Sequence, residues 1–235
     1  MASFDAICRR TPSLGLAVRG AYHPAPGEFD RELPDVNAAT LVLLGFTGSE
    51  QWQHFQRSAE AKDGLPHPLD RWSRRVIGAL AQEFGAADVY PNGEHCLLPF
   101  QQLALNSEPV HRSPIGLLIH PSWGLWHAYR GALIFAYRIA LPDPVPLANP
   151  CDACAAKPCL TGCPVGAFRP GLFDVQACTH HVSNNAGSAC RNGGCLARRA
   201  CPIGTGSRYN EDQMRFHMRA FLSAATTAAR CLPGC

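Results

Sequence analysis

Eight cysteines packed into residues 151–201 constrain this chain more than any other feature of its sequence. They form two runs, Cys151-x2-Cys154-x4-Cys159-x3-Cys163-Pro164 and Cys178…Cys190-x4-Cys195-x5-Cys201-Pro202. The segment 151–207 is rich in Cys, Gly, Pro and Ala and has little apolar periodicity. It buries too little side chain to offset its own chain entropy, so something other than a hydrophobic core must hold it. In a reducing compartment, close-spaced cysteines act as metal ligands or redox groups rather than structural disulfides.

The first run is close to the bacterial ferredoxin pattern, with a four-residue middle gap where the simplest pattern has two. In that pattern three cysteines clasp one cluster and the fourth, before proline, ligates another. Applied to both runs, the crossover rule assigns Cys151, Cys154, Cys159 and Cys201 to one 4Fe-4S cluster. Cys163, Cys178, Cys190 and Cys195 then hold the second, and both sets close at four. Zinc is the alternative, and it favours two separate Cys-x2-Cys knuckles, of which the sequence has one. The glycines at 162, 166, 187, 193, 194, 204 and 206 supply tight turns and N–H donors to sulfur. His180 and His181 either hydrogen-bond a sulfur or simply pack. Cys8 and Cys96 read as plain thiols, and Cys231 and Cys235 as an unused tail.

The rest of the chain is ordinary by composition. It has 235 residues, 46% hydrophobic and 17% charged, with a net charge of +3, room enough for a medium domain and a small one. The basic excess is mild and gives no reason to expect nucleic acid or an acidic membrane surface. No run approaches a membrane span, and MASFDAICRRTPS is not a secretory signal, so a cytoplasmic location is expected. Leu41–Phe46 reads as a buried strand, followed by a short helix to about Glu60. Pro68–Phe84 reads as a helix with Trp72, Val76, Ile77 and Leu80 on one face and Gly85 past its end. Ala87–Tyr90 is a strand and Phe100–Leu105 a short helix. Ile115–His120 and Tyr129–Ile139 read as a strand pair joined by Pro121–His127. The four prolines of 141–150 make a stiff linker. Asn210 and Gln213 open a helix over 210–230. The expected organisation is an α/β domain at 1–140, the linker, a dicluster domain at 151–207, and a helix with tail at 208–235.

Two resemblances add to this reading. The stretch GLFDVQACTHHV before the last cysteines is similar to the ferredoxin portion of epoxyqueuosine reductase and related corrinoid-dependent reductive dehalogenases. Residues 115–133, with His120, Pro121, Gly124, Trp126, Arg130 and Gly131, resemble the cobalamin-processing family of methylmalonic aciduria type C. That likeness implies an α+β class: a nitroreductase-like layer domain binding cobalamin, followed here by the ferredoxin-like 4Fe-4S domain and a C-terminal helix. By residue type the same loop suits a flat macrocycle, since two Trp, two His, one Tyr and one Arg fall within eleven residues. The alternative is a packed hairpin with its aromatics in the core. The expected corrinoid wall is His120, Pro121, Trp123, Gly124, Trp126, His127, Tyr129, Arg130 and Gly131. A second wall over Pro91–Gln101 includes Pro99, Phe100 and Gln101.

The expected function is a cobalamin reductase or processing protein, an oxidoreductase passing electrons through two 4Fe-4S clusters to a bound corrinoid. A ferredoxin-like carrier whose N-terminal domain docks a partner enzyme is the rival reading. A flavin reductase ranks last. The expected partners are a corrinoid and an electron donor, either flavodoxin, ferredoxin or a reductase, with no nucleic acid and no membrane.

Overall fold

The computed structural model describes residues 2–29, 36–91, 98–169 and 171–230, except the side chains of 226–230. Part of the expected second wall (92–97) and Cys96, Cys231 and Cys235 lie outside the described residues. In chain order the elements begin with helix α1 (Phe4–Arg10), strands β1 (Ala17–Tyr22) and β2 (Thr40–Thr47), and helices α2 (Trp52–Arg57) and α3 (Pro68–Phe84). Strand β3 (Ala87–Val89), helix α4 (Phe100–Ser107) and strands β4 (His111–Arg112), β5 (Leu118–Ile119) and β6 (His127–Phe135) follow. Helix α5 (Pro158–Thr161), strands β7 (Phe168–Arg169) and β8 (Leu172–Phe173), and helices α6 (Val175–Ser183), α7 (Ser188–Gly193), α8 (Leu196–Arg199) and α9 (Glu211–Arg230) complete the chain. Among the described residues no helix is long and apolar enough to cross a membrane.

The chain divides into two compact units, Met1–Val110 with His127–Leu147, and His111–Trp126 with Ala148–Cys235. The first unit is built on an antiparallel sheet in the order β1-β2-β6-β3. Strand β2 is buried from Thr40 to Phe46, which is why it reads as a continuous apolar run rather than an alternation. Helix α3 matches its expected bounds. Proline starts it, Gly85 ends it at φ 66°, and Leu69, Trp72, Val76, Ile77 and Leu80 are buried at helical spacing. Trp72 meets Phe46 at 5.7 Å and Phe55 at 6.1 Å between ring centroids. At the bulge between Leu44 and Gly45, a Cβ on Gly45 would lie 1.9 Å from the Ala128 carbonyl oxygen, so only glycine permits that approach.

The second unit departs from the expected organisation. Leu118–Ile119 pairs with His111–Arg112, not with the strand after residue 127. Strand β6 pairs instead with β2 and β3. The physical reason lies in the apolar side chains of the 111–126 hairpin. Ile115, Ile119 and Leu125 form one buried cluster with Cys159 and Cys201, so the hairpin belongs with the cysteines rather than the first sheet. Helix α9 also belongs to this unit, packed on α6 and α7 rather than standing as a separate tail. Its start is capped by Asn210, whose Oδ1 accepts from the Gln213 N–H at 2.9 Å. Residues 141–149 form neither helix nor strand, as their prolines require.

Candidate metal centre

The first cysteine group is assembled by a tight turn and one short helix. The Cys154 N–H donates to the Cys151 carbonyl at 3.3 Å, and Lys157 adopts a left-handed φ of 39° that launches α5 with Pro158 at its start. Cys159 follows on α5 and is 7% exposed. The Lys157 ammonium folds back to donate to the carbonyls of Cys151 at 3.4 Å and Cys154 at 3.3 Å. Cys151, Cys154, Cys159 and Cys201 line one hollow together with Ile119, Leu125, Lys157 and Ile203. Burial pushes the Cys151 thiol up, and neighbouring Cys201, Cys159 and Cys154 push it further, against Lys157. Burial likewise raises Cys159, with Cys201 and Cys154 adding to it, and the backbone N–H groups of Cys159 and Leu160 opposing. Cys201 is raised by burial and by Cys154, against the Ile203 N–H.

The second group is carried by α6, α7 and the start of α8. Asp174 caps α6 by accepting from the Ala177 N–H at 2.8 Å, which sets Cys178 in the first turn. Cys190 lies on α7 and is 6% exposed, and Cys195 is the N-cap of α8. The Ala167 N–H donates to Cys163 Sγ at 3.4 Å. Burial pushes Cys178 up to about 11, followed by the influence of Cys195, Cys163 and Cys190. Cys195 is raised by burial and by Cys190 and Cys163, while the N–H groups of Arg198 and Ala197 pull it down.

The eight thiols therefore fall into two electrostatic neighbourhoods, {151, 154, 159, 201} and {163, 178, 190, 195}, and none of these influences crosses between them. All eight are free cysteines. Among the described residues, no three His, Cys, Asp or Glu side chains close on a point that a single metal ion could occupy. The donor set is thiol with backbone N–H groups aimed at sulfur, which suits thiolate ligation of an iron–sulfur cluster. His180, by contrast, is exposed and lies 3.4 Å from the Asn184 amide nitrogen.

Two devices tie the 111–126 hairpin to the cysteine turns, and sequence reasoning missed both. Arg198, between Cys195 and Cys201, donates from Nε at 3.0 Å and also from Nη2 to the Leu125 carbonyl. Its guanidinium lies 4.6 Å from the ring centroids of both Trp126 and Tyr209. The second device is a pair of glycines meeting backbone to backbone. A Cβ on Gly204 (φ 68°) would lie 2.2 Å from the Trp123 carbonyl carbon, and one on Gly124 (φ 57°) 2.0 Å from the Ile203 carbonyl oxygen. Lys157 was also passed over, although it is one of only two lysines in the chain and sits between Cys154 and Cys159.

The twelve residues expected to wall a corrinoid divide between the two units. His120, Pro121, Trp123, Gly124 and Trp126 fall in the cysteine unit, and the other seven in the first unit. Trp126 is 1% exposed and sits in a buried cluster with Tyr209 and Met214. His120 stacks on Trp123 at 3.9 Å, and its Nδ1 accepts from the Ser122 N–H at 3.0 Å. In the first unit, His127 meets Tyr129 edge-on, and Tyr129 donates to Glu108 at 2.7 Å. Arg130 donates to Ser73 at 2.9 Å and pairs with Asp70. Gly131 lies under Ile77 and the Val89 carbonyl. Pro99 caps α4, Phe100 is buried on it, and Gln101 is exposed. Trp126, Tyr129 and Arg130 are each engaged within their own unit, Trp126 against Tyr209, Tyr129 with Glu108 and Arg130 with Asp70.

No family model matches the chain, and no curated protein matches it. Among solved structures, an epoxyqueuosine reductase with an epoxyqueuosine-modified tRNA-Tyr stem loop is similar at 18% identity and a TM-score of 0.46, covering 88% of this chain and 60% of that one. A selenomethionine-labelled epoxyqueuosine reductase is similar at 19% identity and a TM-score of 0.45, covering 91% and 62%. An epoxyqueuosine reductase from Bacillus subtilis gives 18% and 0.45, covering 76% and 52%. This chain spans less than two thirds of the length of each. The first of these structures includes RNA, whereas the sequence reading expects no nucleic acid partner.

Proposed function

We propose that this chain is an iron–sulfur oxidoreductase that moves electrons one at a time through two 4Fe-4S clusters. The observation that supports the reading is the gathering of Cys151, Cys154, Cys159 and Cys201, drawn from both cysteine runs, around one hollow, with Cys163, Cys178, Cys190 and Cys195 as mutual neighbours in a second group. In the proposal, Cys151, Cys154, Cys159 and Cys201 hold the first cluster, and Cys163, Cys178, Cys190 and Cys195 the second. Bound there, the clusters supply reversible one-electron chemistry. The chain's own part is to hold the thiols, donate N–H groups to sulfur, and keep the first site dry with Ile119, Leu125 and Ile203. Anaerobic analysis of the purified protein should give about eight iron and eight acid-labile sulfide per chain. Near four iron, or stoichiometric zinc, contradicts the proposal.

A corrinoid as the electron acceptor is the finer proposal, supported by the resemblance of residues 115–133. Its test is anaerobic titration with cobalamin. Perturbation of the corrin absorbance together with cluster-dependent reduction of cobalt supports it. No affinity leaves the carrier reading, in which the acceptor is another protein.

A further inference from the structure

Ser113 lines the same hollow as Cys151, Cys154, Cys159 and Cys201. It sits where β4 turns toward β5, and the turn uses both of its backbone groups. Its N–H donates to the Leu117 carbonyl at 2.9 Å, and its carbonyl accepts from the Gly116 N–H at 3.0 Å. The residue is 8% exposed and its hydroxyl oxygen is closed off from solvent. Among the described residues that oxygen has no hydrogen-bond partner. A buried hydroxyl is ordinarily paired, because an unpaired one gives up its hydration without a replacement bond.

Packing two residues further on holds this turn in place. Ile115 belongs to the buried cluster with Ile119, Leu125, Cys159 and Cys201, which fastens the hairpin to the cysteines. An apolar side chain at position 113 would fill the same place with no polar atom to satisfy. The rest of the lining narrows the partner. Pro114, Pro150, Pro158 and Pro202 also border the hollow and have no N–H to donate. Lys157 turns its ammonium to the carbonyls of Cys151 and Cys154. The side-chain acceptors gathered around the hollow are the cysteine sulfurs.

We propose that the Ser113 hydroxyl donates a hydrogen bond to sulfur of the first cluster, on a sulfide or a cysteine ligand, and thereby raises that cluster's reduction potential. The proposal rests on the two-cluster reading. Reduction adds one electron and with it negative charge on sulfur, so an O–H dipole held against sulfur favours the reduced form. The O–H bond stays intact and no proton moves. Ser113 ligates no iron in this arrangement and acts through the potential alone.

The test uses the full chain with its clusters, purified anaerobically, and the variants Ser113→Ala, Ser113→Thr and Ser113→Val. The last two are nearly the same in shape and differ in the hydroxyl, so the pair separates the hydrogen bond from packing. A redox titration followed by electron paramagnetic resonance reads both clusters, and the first is the one whose signal Cys154→Ser alters. Ser113→Ala should shift the balance of the first cluster by about three- to tenfold toward the oxidised form, a fall of about 30–60 mV at about 59 mV per tenfold for one electron. Ser113→Thr should stay near wild type and Ser113→Val should fall with Ser113→Ala. The second cluster should keep its potential, and iron should stay at about eight per chain throughout. Equal first-cluster potentials in wild type and Ser113→Ala, or in Ser113→Thr and Ser113→Val, overturn the role of Ser113 while leaving the clusters standing. So does an equal fall in both cluster potentials. If Ser113→Ala loses iron, the comparison of Ser113→Thr with Ser113→Val decides. A wild-type chain without clusters overturns the two-cluster reading and the role of Ser113 together.

Discussion

Replacing Glu108 by Gln tests whether Tyr129 belongs to the interior of the first unit or to a ligand wall. Arg19 and Glu108 have side-chain exposures of 0% and 3%, and Arg19 Nη2 donates to the two carboxylate oxygens at 3.1 and 2.9 Å. Tyr129 adds a third bond at 2.7 Å. Burial pushes the Glu108 carboxyl up, and Arg19 and Tyr129 pull it back. Gln keeps the shape and one acceptor but strands the Arg19 charge, and breaking a buried pair in this way costs about 3–5 kcal/mol. Since Gln still accepts one bond, the lower end applies. With a urea m-value of about 2 kcal/mol per M, the midpoint falls by about 1–2 M. The assay is urea unfolding followed by the fluorescence of Trp52 and Trp72, both buried in the first unit. The double variant Arg19→Met/Glu108→Leu should recover much of the loss, because it removes both charges. A midpoint shift below about 0.2 M for Glu108→Gln refutes the reasoning and frees Tyr129 for another role.

Other outcomes follow from the cysteine unit. Arg198→Met removes the charged fork on Leu125 and its contacts with Trp126 and Tyr209, so cluster release to an iron chelator should quicken by an order of magnitude or more, with Arg198→Lys in between. Lys157→Met removes a cation beside Cys151 and Cys154, and a redox titration should show one cluster potential falling by tens of millivolts and the other unchanged. Because burial and its neighbours raise the Cys178 thiol to about 11, that thiol is protonated at neutral pH in the cluster-free protein. Cluster assembly must then release the proton, so reconstitution with iron and sulfide should improve from pH 7 to pH 9, and a flat profile contradicts this.

The parts of the fold legible in the sequence were those with a local signal. Helix α3 shows its proline start, its apolar face and its glycine stop, and strand β2 its unbroken apolar run. The cysteine runs carry a local signal too, because their spacing and Cys-Pro closures act over a few residues. Strand β1 was not, because its buried position carries Arg19, whose partner Glu108 lies 89 residues away. The pairing of β6 was misread for a similar reason. Ile115–His120 is the nearest apolar run, whereas the true partner, β2, is distant in sequence. The aromatic loop at 120–131 carries the same residues whether it faces a macrocycle or a core. Arg198, Tyr209 and Met214, far along the chain, place Trp126 in the interior.

Anomalous diffraction at the iron edge from anaerobically grown crystals tests the central claim most directly. Two separate iron peaks should appear, one bonded to the sulfurs of Cys151, Cys154, Cys159 and Cys201, and the other to those of Cys163, Cys178, Cys190 and Cys195. A single iron peak, a zinc-edge signal in place of iron, or a centre joining Cys201 to Cys190 and Cys195 contradicts it.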